Sequence, residues 1–370
     1  MPTLSRPVGD NHKMSDSPAS GVSGSTEGHS AVAAGSPHPT RRATLHEVAA
    51  VAGVSLKTAS RALGGEAYVS EQTRKQVLDA ARQLGYQRNA AASLLARGLL
   101  TDSIGLITGD FTNPFYSALA EGLEGEIRDH QMHLSVANAR ECPEQEWRLA
   151  RYLADLQPRA LVVVSAMVDH SRYAALQSRG IPVVFVDRPA AGIAADSVVL
   201  DNHAAGQLAT AHLLALGHRR IAFVGDYAWL PTHRARVAGM RAALDEAMLP
   251  APEELVRSGA HTPQEARRLT RAVLDMPQPP SAIIAGNNQV VLGVMEELAA
   301  DPPAQQPALI CLDEFEWARV LGISVVAREP EDLGRRAAQL ALARGENRDR
   351  EVEEVVLPVM LTARSSTKAR

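Results

Sequence analysis

Cysteines, aromatic residues and long apolar runs are all scarce in this sequence, and each scarcity excludes a class of protein. The two cysteines, Cys142 and Cys311, are far apart and have no histidine or cysteine neighbours at metal-ligand spacing. A disulfide framework and a zinc finger are therefore excluded, and a reducing cytoplasm is expected. The longest apolar runs, such as 160–164 and 181–186, are far shorter than the roughly 20 residues of a membrane-spanning helix. The N-terminus also lacks the contiguous apolar stretch of a secretory signal.

The charge is distributed unevenly along the 370 residues. The net charge is −4, yet residues 41–99 hold nine Lys and Arg against four Asp and Glu. Residues 100–370 hold 27 against 35. A small basic module joined to a large acidic body is typical of a head that binds a polyanion. Residues 1–42 are rich in Ser, Gly, Pro and Ala without periodicity, and we expect a disordered tail there.

Three short helices are predicted between residues 43 and 85. Thr44 and Glu47 form a capping box, in which each side chain satisfies an amide N–H of the first turn. A second helix is predicted at 56–63 and a third at 71–84, each preceded by a serine cap and ended by glycine. The residues expected to face inward are Val48, Ala49, Ala52, Ala59, Ala62, Leu63, Val77, Leu78, Ala81 and Leu84. Two short helices with a glycine-containing turn and a third bracing helix indicate a helix-turn-helix.

From Ser103 onward, apolar strand-like runs alternate with helical segments. The predicted strands are 104–107, 134–137, 160–164, 183–186, 197–200, 221–224, 281–285, 308–312 and 323–326. The predicted helices are 117–130, 145–156, 204–216, 234–247, 263–275, 289–299 and 333–344. This alternation predicts an α/β body with parallel sheets covered on both faces. About 260 residues are too many for one such sheet, so we expect two sheets with a cleft between them.

Several sequence blocks, in this order and spacing, closely resemble the LacI/GalR family of bacterial transcriptional regulators. The blocks are 43–63, 69–74, 84–89, 103–107, 112–116, 180–184, 186–189, 216–221 and 333–337. The resemblance covers about residues 43–365. It implies an all-α helix-turn-helix head on a two-subdomain, periplasmic-binding-protein-like body. The domains are then a tail (1–42), the head (43–88), a hinge helix and linker (89–101), the body (102–365) and a short tail (366–370). The expected subdomains are approximately 102–200 plus 324–350, and 201–323 plus 351–365.

The second helix of the head carries the residues expected to read DNA. Such a helix lies in the major groove with its N-terminal residues against base edges. Lys57 and Arg61 are four residues apart on one face and can donate to guanine, whereas Leu56 offers apolar contact to a thymine methyl. The resemblance assigns base reading to these three positions. The hydroxyls of this region are expected to be helix caps or phosphate contacts, and the candidates are Thr44, Ser55, Thr58 and Ser60.

Residues 89–97 match the hinge helix of the family. Nine residues are fewer than the roughly 12–15 that a stable isolated helix needs, so we expect this helix to order on DNA. The resemblance places Leu95 as an apolar wedge in the minor groove, and Asn89 and Ala92 are further expected DNA contacts. The residue before Asn89 is usually proline in the family and is Arg88 here.

Polar and aromatic residues follow the predicted strands, where ligands bind in open α/β sheets. Carboxylate, amide and guanidinium groups beside aromatic faces suit a polyhydroxylated ligand. The resemblance marks Phe115, Asp187, Arg234, Asn287 and Asp313 as effector positions. The full candidate set is Asp110, Phe115, Tyr116, Asp187, Trp229, Thr232, Arg234, Arg236, Asn287, Gln289 and Asp313.

Two departures from the family pattern bear on the ligand. The usual Asn-Asp after one strand is Asn287-Asn288, and Arg328 replaces a glutamine near the end of the body. The positive charge of Arg328 is compatible with an anionic effector, such as a sugar phosphate or acid. A neutral sugar or a nucleoside remains the alternative.

Two other function classes are less consistent with the residues. A sugar-binding transport receptor would carry a signal peptide and no basic head. An enzyme would carry a catalytic or nucleotide-binding motif, and none of G-x-G-x-x-G, G-x-S-x-G or H-E-x-x-H occurs. The sequence therefore predicts a non-enzymatic, dimeric repressor in the bacterial cytoplasm, on the nucleoid. It would bind a near-palindromic operator and a small carbohydrate effector, with no cofactor, metal or membrane. Whether the effector releases or promotes DNA binding is left open.

Overall fold

The computed structural model describes residues 43–65, 68–87, 101–300, 302 and 306–367. The chain divides into two compact units, a head within residues 1–88 and a body within residues 89–370. The predicted tail at 1–42 and the predicted hinge helix at 89–97 lie outside the described residues.

The head is built from three helices, α1 (Leu45–Val51), α2 (Leu56–Leu63) and α3 (Glu71–Gln83). Each begins after a capping side chain, because Thr44, Ser55 and Ser70 accept the amide N–H of the third residue beyond. These donors have no partner within the helix, so each cap fixes where its helix starts. The predicted capping box and helix-turn-helix are confirmed.

The head core is small and consists mostly of alanine and valine. Its buried members are Val48, Ala49, Ala59, Ala62, Val77, Ala80 and Ala81. The prediction that Leu78 is buried is wrong, since this side chain is 42% exposed. The inward face of α3 instead contains Ala80, which lies three residues after Val77 and so one helical turn along the same face.

The body contains two six-stranded sheets in the described residues. Its strands are β1 (Thr101–Thr108), β2 (His133–Asn138), β3 (Pro158–Val163), β4 (Val183–Val186), β5 (Asp196–Leu200), β6 (Ile221–Val224), β7 (Val256–Arg257), β8 (Ala282–Ala285), β9 (Ala308–Cys311), β10 (Ser324–Ala327), β11 (Glu354–Leu357) and β12 (Met360–Thr362). The sheet orders are β11-β5-β4-β3-β1-β2 and β12-β10-β9-β8-β6-β7. Only the β10–β12 pair is antiparallel among these strands, so the predicted parallel α/β architecture is confirmed.

Helices cover the faces of both sheets. They are α4 (Pro114–Arg128), α5 (Pro143–Asp155), α6 (Ala174–Ser178), α7 (Asn202–Ala215), α8 (Pro231–Glu246), α9 (Pro263–Leu274), α10 (Asn288–Leu298), α11 (Glu316–Val320) and α12 (Pro330–Glu346). The sheet that contains β1 and the sheet that contains β6 define the first and second subdomains. The chain crosses between them after β5, after β10 and after β11.

The expected subdomain boundaries differ from the observed ones near the C-terminus. We expected 324–350 in the first subdomain, but β10 pairs in parallel with β9 of the second sheet. Its four residues are all buried, so the strand completes the second sheet before the chain crosses. Conversely, β11 lies within the expected range 351–365 but pairs with β5 of the first sheet.

The expected C-terminal tail is partly packed against the second subdomain. The Ser366 amide donates to the Gly322 carbonyl at 2.8 Å, and the Ser366 carbonyl accepts from the Leu309 amide at 3.0 Å. The Thr367 hydroxyl lies 2.7 Å from the Ser324 hydroxyl. These bonds attach residues 366–367 to β9 and to the start of β10, so the packed body continues through Thr367.

Candidate functional site

The second helix of the head exposes two cations on one side. The Ser55 hydroxyl accepts the Thr58 amide N–H at 3.1 Å and sets the start of α2 at Leu56. Lys57 and Arg61, one turn apart, are exposed, while Leu56 beside them is 44% exposed. Positive charge and an apolar side chain therefore lie together on the outward face of α2.

Three of the four hydroxyl groups proposed as phosphate contacts, those of Thr44, Ser55 and Thr58, are engaged at helix caps. Thr44 belongs to the capping box of α1, and the Ser55 and Thr58 hydroxyls are 2.8 Å apart. Ser60 is half-buried on α2. A phosphate role for these residues stays a prediction. Asn89, Ala92 and Leu95 lie outside the described residues.

A polar cleft lies between the two subdomains of the body, at the carboxyl ends of their strands. The space between the two walls amounts to about 530 Å³, a figure that includes the open solvent at the mouth. The lining residues are Asn113, Phe115, Tyr116, Asp187, Arg188, Phe223, Asp226, Leu230, Thr232, His233, Arg236, His261, Gly286, Asn287 and Asp313.

On the first-subdomain side, a buried guanidinium lies beside an unsatisfied carboxylate. Arg188 forms two 2.7 Å hydrogen bonds to Glu141 and a 2.6 Å bond to the Ser165 carbonyl. Asp187 follows β4 in the left-handed backbone region, with φ of +70°, a conformation that costs energy in a non-glycine residue and often marks a functional position. Within the described chain no group donates a hydrogen bond to its carboxylate, and the nearest cationic atom is Arg188 Nε at 3.7 Å.

On the second-subdomain side, Arg236 is held by groups from three elements. Its Nε donates to Asn202 Oδ1 at 2.7 Å, one Nη donates to the Gly286 carbonyl, and the other donates to Asp313 Oδ1 at 3.2 Å. Asp313 Oδ2 accepts the Asn288 amide at 3.1 Å. Both charged groups are more than nine-tenths buried, so each depends on the other to offset the cost of burying its charge.

A second carboxylate of this subdomain organises the rim of the cleft. Asp226 accepts from the His261 ring at 3.1 Å and from Asn287 Nδ2 at 3.1 Å. The ring of Tyr227 stacks on His261 at 5.0 Å and on Trp229 at 6.1 Å. Flat aromatic faces therefore adjoin the polar lining residue His261, although Tyr227 and Trp229 do not themselves line the cleft.

Burial shifts the protonation of several cleft groups. It raises the pKa of Asp313 to about 6 against the opposing effect of Arg236, and it raises the pKa of Asp187 as well. Burial lowers the pKa of His233 to about 4, so this imidazole is neutral at pH 7. The hydrogen bond to Asp226 raises the pKa of His261.

Three contacts join the two subdomains beside the cleft. Asn288 Nδ2 donates to Asn113 Oδ1 at 2.9 Å, and Gln289 Nε2 donates to the Thr112 carbonyl at 3.0 Å. The guanidinium carbon of Arg188 lies 5.8 Å from the centre of the Trp229 ring, within cation–π range. The cleft is therefore bounded by both subdomains.

Comparison with known proteins identifies both units. Residues 44–89 match the family model described as bacterial regulatory proteins, lacI family. Residues 101–302 match the model described as periplasmic binding proteins and sugar binding domain of LacI family. The chain belongs to the LacI family. It is a helix-turn-helix transcriptional regulator with a periplasmic-binding-protein-like body, and the resemblance inferred from the sequence is confirmed.

Relatives match over nearly their whole length. The HTH-type transcriptional regulator PtxS of Pseudomonas aeruginosa is 32% identical over 345 residues, covering 91% of this chain and 99% of that protein. A complex of the transcriptional regulator CelR with cellobiose is 27% identical, with a TM-score of 0.65 over 88% of this chain and all of that one. The Cra regulator of Pseudomonas putida with fructose 1-phosphate is 26% identical, with a TM-score of 0.66 over 72% and 99%.

The structure brings seven of the eleven predicted effector residues together at the cleft of this LacI-family body. They are Phe115, Tyr116, Asp187, Thr232, Arg236, Asn287 and Asp313. All follow strand ends or lie in the first two turns of the next helix. This is the position that the carboxyl-edge rule for parallel sheets favours.

The other four predicted residues do not line the cleft. Asp110 instead accepts from the Thr112 amide and hydroxyl in its own turn, and Gln289 bridges the subdomains. Trp229 lies outside the lining, facing Arg188. Arg234 is exposed, because it lies two residues from Arg236 and so on nearly the opposite side of α8.

Five polar cleft residues were missing from the prediction. Arg188 directly follows Asp187, Asp226 lies two residues beyond the end of β6, and Asn113 lies two residues before Phe115. Extending the same strand-end rule to polar residues within two positions therefore finds all three. His233 shares a face with Arg236 three residues later. His261 follows β7, whose two residues are too few to give a strand pattern.

Among the described residues, no helix is both long and apolar enough to span a bilayer. Nor do the described residues contain a group of three or more His, Cys, Asp or Glu side chains arranged to hold a metal ion.

Two buried groups of the cleft predict opposite pH dependences of stability. His233 titrates at about 4 in the fold against 6.5 ordinarily, so its contribution to stability is lost as the pH falls from 6.5 to about 4. Asp313 titrates at about 6 against 3.8, so its contribution is gained as the pH falls from about 6 to 3.8. Each shift corresponds to about 3 kcal/mol, and in the wild type the two nearly cancel.

Replacing either residue makes the effect of the other on the pH dependence of stability measurable. We expect the unfolding midpoint of His233→Gln to rise relative to wild type as the pH falls through this window, and that of Asp313→Asn to fall. Thermal unfolding of both variants and the wild type across the window measures these differences. Parallel curves for all three proteins contradict both assignments.

Proposed function

We propose that this LacI-family chain is a repressor that binds a near-palindromic operator as a homodimer. Its operator affinity is set by a small carbohydrate effector bound in the body cleft. It acts by binding rather than catalysis, in the cytoplasm on the nucleoid. The observation that carries the proposal is the presence in one chain of a helix-turn-helix with an exposed cationic face and a carboxylate-lined cleft.

Relatives with similar bodies support a carbohydrate ligand. One solved relative is a complex with cellobiose and another with fructose 1-phosphate. The present cleft offers acceptor carboxylates, the amide of Asn287 and the aromatic rings of Phe115 and Tyr116, groups that match hydroxyls and the apolar face of a sugar ring. A ligand there touches both subdomains and therefore favours one of their relative placements. Such differential binding is what coupling between the cleft and the DNA-binding head requires.

The first test concerns base reading by α2. We expect Lys57→Ala and Arg61→Ala each to weaken specific operator binding by about 1–3 kcal/mol and to relax base preference at one position per half-site. The reason is that both cations lie on the exposed face of α2. Selection from a randomised operator library followed by binding assays measures both effects.

Lys75→Ala is the matched control, since Lys75 is an exposed cation of the same head on α3. It changes the head charge by the same amount but should leave base preference unaltered. If Lys57→Ala and Arg61→Ala keep the wild-type preference, base reading by these side chains is refuted.

A further inference from the structure

The charged groups of the cleft do not provide an excess of positive charge. Three carboxylates, Asp187, Asp226 and Asp313, line it together with two guanidinium groups, Arg188 and Arg236. A fourth carboxylate, Glu141, is bonded directly to Arg188. The protonatable ring of His261 is paired with Asp226. The site is therefore close to neutral or negative, which opposes the entry of an anion.

The Nη atoms of both guanidinium groups already donate to protein acceptors, whereas the buried Nε of Arg188 has no hydrogen-bond partner in the described part of the chain. Arg188 directs its two Nη atoms to the two oxygens of Glu141, the geometry in which arginine otherwise binds phosphate or carboxylate. Arg236 binds Asn202, Gly286 and Asp313. An anionic ligand would have to displace Glu141 or Asp313 and leave that carboxylate buried without its cation, which is strongly unfavourable.

Among the described residues, the first-subdomain wall holds one acceptor group without a protein donor, the Asp187 carboxylate, 3.7 Å from the buried and unpartnered Nε of Arg188. The Asp187 carboxylate is 8% exposed, and no described group donates a hydrogen bond to it. A ligand hydroxyl supplies the missing donor, whereas a phosphate or carboxylate oxygen at the same place would set acceptor against acceptor.

The one residue whose identity suggested an anionic effector lies elsewhere. Arg328 forms a 2.8 Å ion pair with Asp332 and is not among the residues that line the cleft. Arg328 therefore adds no positive charge to the lining of the cleft.

We propose that the cleft binds an uncharged polyhydroxylated ligand and discriminates against its phosphorylated and carboxylated counterparts. Asp187 and Asp313 act as acceptors for ligand hydroxyls. Glu141 occupies both Nη atoms of Arg188, so these donors do not bind an anionic ligand. This inference rests on the proposed effector function and narrows it to one chemical class.

Matched probes test the discrimination on the full chain. Glucose, fructose and galactose are each compared with their monophosphate esters and sugar acids, and cellobiose is added, by thermal shift and then calorimetry. A ligand selective for the folded body raises its melting temperature. We expect at least one neutral sugar to bind, and its anionic counterparts to bind at least about tenfold more weakly.

The outcomes separate the inference from the function on which it rests. A phosphate ester or sugar acid that binds more tightly than its neutral parent overturns the inference and leaves carbohydrate control intact. If no probe of any set binds, the carbohydrate effector itself is refuted, and the inference with it.

Two variants test the assigned roles. Glu141→Gln should narrow the preference for the neutral sugar over its phosphate ester by about tenfold, because it frees the Arg188 fork. Glu144→Gln, the same charge change at an exposed position nearby, should leave the ratio unchanged. Asp187→Asn should weaken binding of the neutral sugar by about tenfold. It should weaken binding of the phosphate ester less, so the preference for the neutral sugar over the ester should narrow. An unchanged ratio in both Glu141→Gln and Asp187→Asn overturns the assignment, and the second variant serves even if the first does not fold.

Discussion

Arg236→Met is expected to destabilise the body by about 3–5 kcal/mol, the cost of removing one partner of a buried ion pair. Methionine fills much of the same space but leaves the Asp313 carboxylate without its cation. It also leaves the Gly286 carbonyl and Asn202 Oδ1 without the N–H donors that Arg236 supplies to them. Because these groups form the second-subdomain wall of the cleft, effector binding should be lost in the same variant.

Arg234→Met is the matched control for this variant. The two arginines are on the same helix, α8, but Arg234 is exposed whereas Arg236 is 7% exposed. A surface substitution of this kind usually changes stability by less than about 0.5 kcal/mol. Thermal unfolding of the full chain compares them, and equal midpoints for the two variants would contradict the assigned role of Arg236.

The double variant Arg236→Met/Asp313→Ala separates the ion pair from the other contacts of Arg236. If the loss in Arg236→Met comes mainly from the stranded carboxylate, removing Asp313 as well should restore part of the stability. The double variant should then be less destabilised than the sum of the two single variants, since contacting residues are not additive.

The nine strands predicted from the sequence all occur in the structure, with ends within three residues of the expected ones. All but the edge strand β2 are largely buried apolar runs in a parallel sheet, and such runs are the clearest pattern that a sequence provides. The missed strands are β7, which has two residues, and β11 and β12, which lie at sheet edges with exposed positions. Edge strands carry a weaker apolar signal because one of their sides faces solvent.

Helix starts were predicted too late at several places for one physical reason. Proline occupies the first position of α4, α5, α8 and α12, and the apolar periodicity used to place these helices begins later. Proline suits the first helical position because its fixed φ matches the helix and its missing N–H would have no partner there. Reading each proline as a start corrects these boundaries.

The site residues that lie at strand ends were predictable from the sequence. The ion pairs between residues far apart in sequence were not. Strand-end position is enough to find Asp187, Asn287 and Asp313. The bond between Arg188 and Glu141 joins residues 47 apart in sequence, and no local pattern signals it. Since that pairing decides whether the arginine can bind an anion, the ligand class becomes visible only in the structure.

The sequence also did not predict the close packing of one pair of helices in each subdomain. In the first, α4 crosses α12 where Gly122 lies against the Glu331 carbonyl and Gly334 against the Leu119 carbonyl. In the second, α7 crosses α8, where Gly206 and Gly239 lie against backbone carbonyls of the facing helix. Reciprocal glycines thus allow backbone-to-backbone contact in both halves of a body without a detectable sequence repeat.

Gly122→Ala is therefore expected to cost about 3 kcal/mol, at the upper end of the usual range for overpacking. The added Cβ would overlap the Glu331 backbone, which cannot rotate aside as a side chain can, so α4 and α12 must separate. Gly125→Ala, one turn along the same helix, meets no atom within 4 Å and should stabilise the protein by about 0.5–1 kcal/mol, because alanine is the better helix former. Opposite shifts of the thermal midpoint are the expected result. Equal shifts would mean that helix propensity alone governs both positions, and that the close approach of α4 and α12 does not contribute to stability.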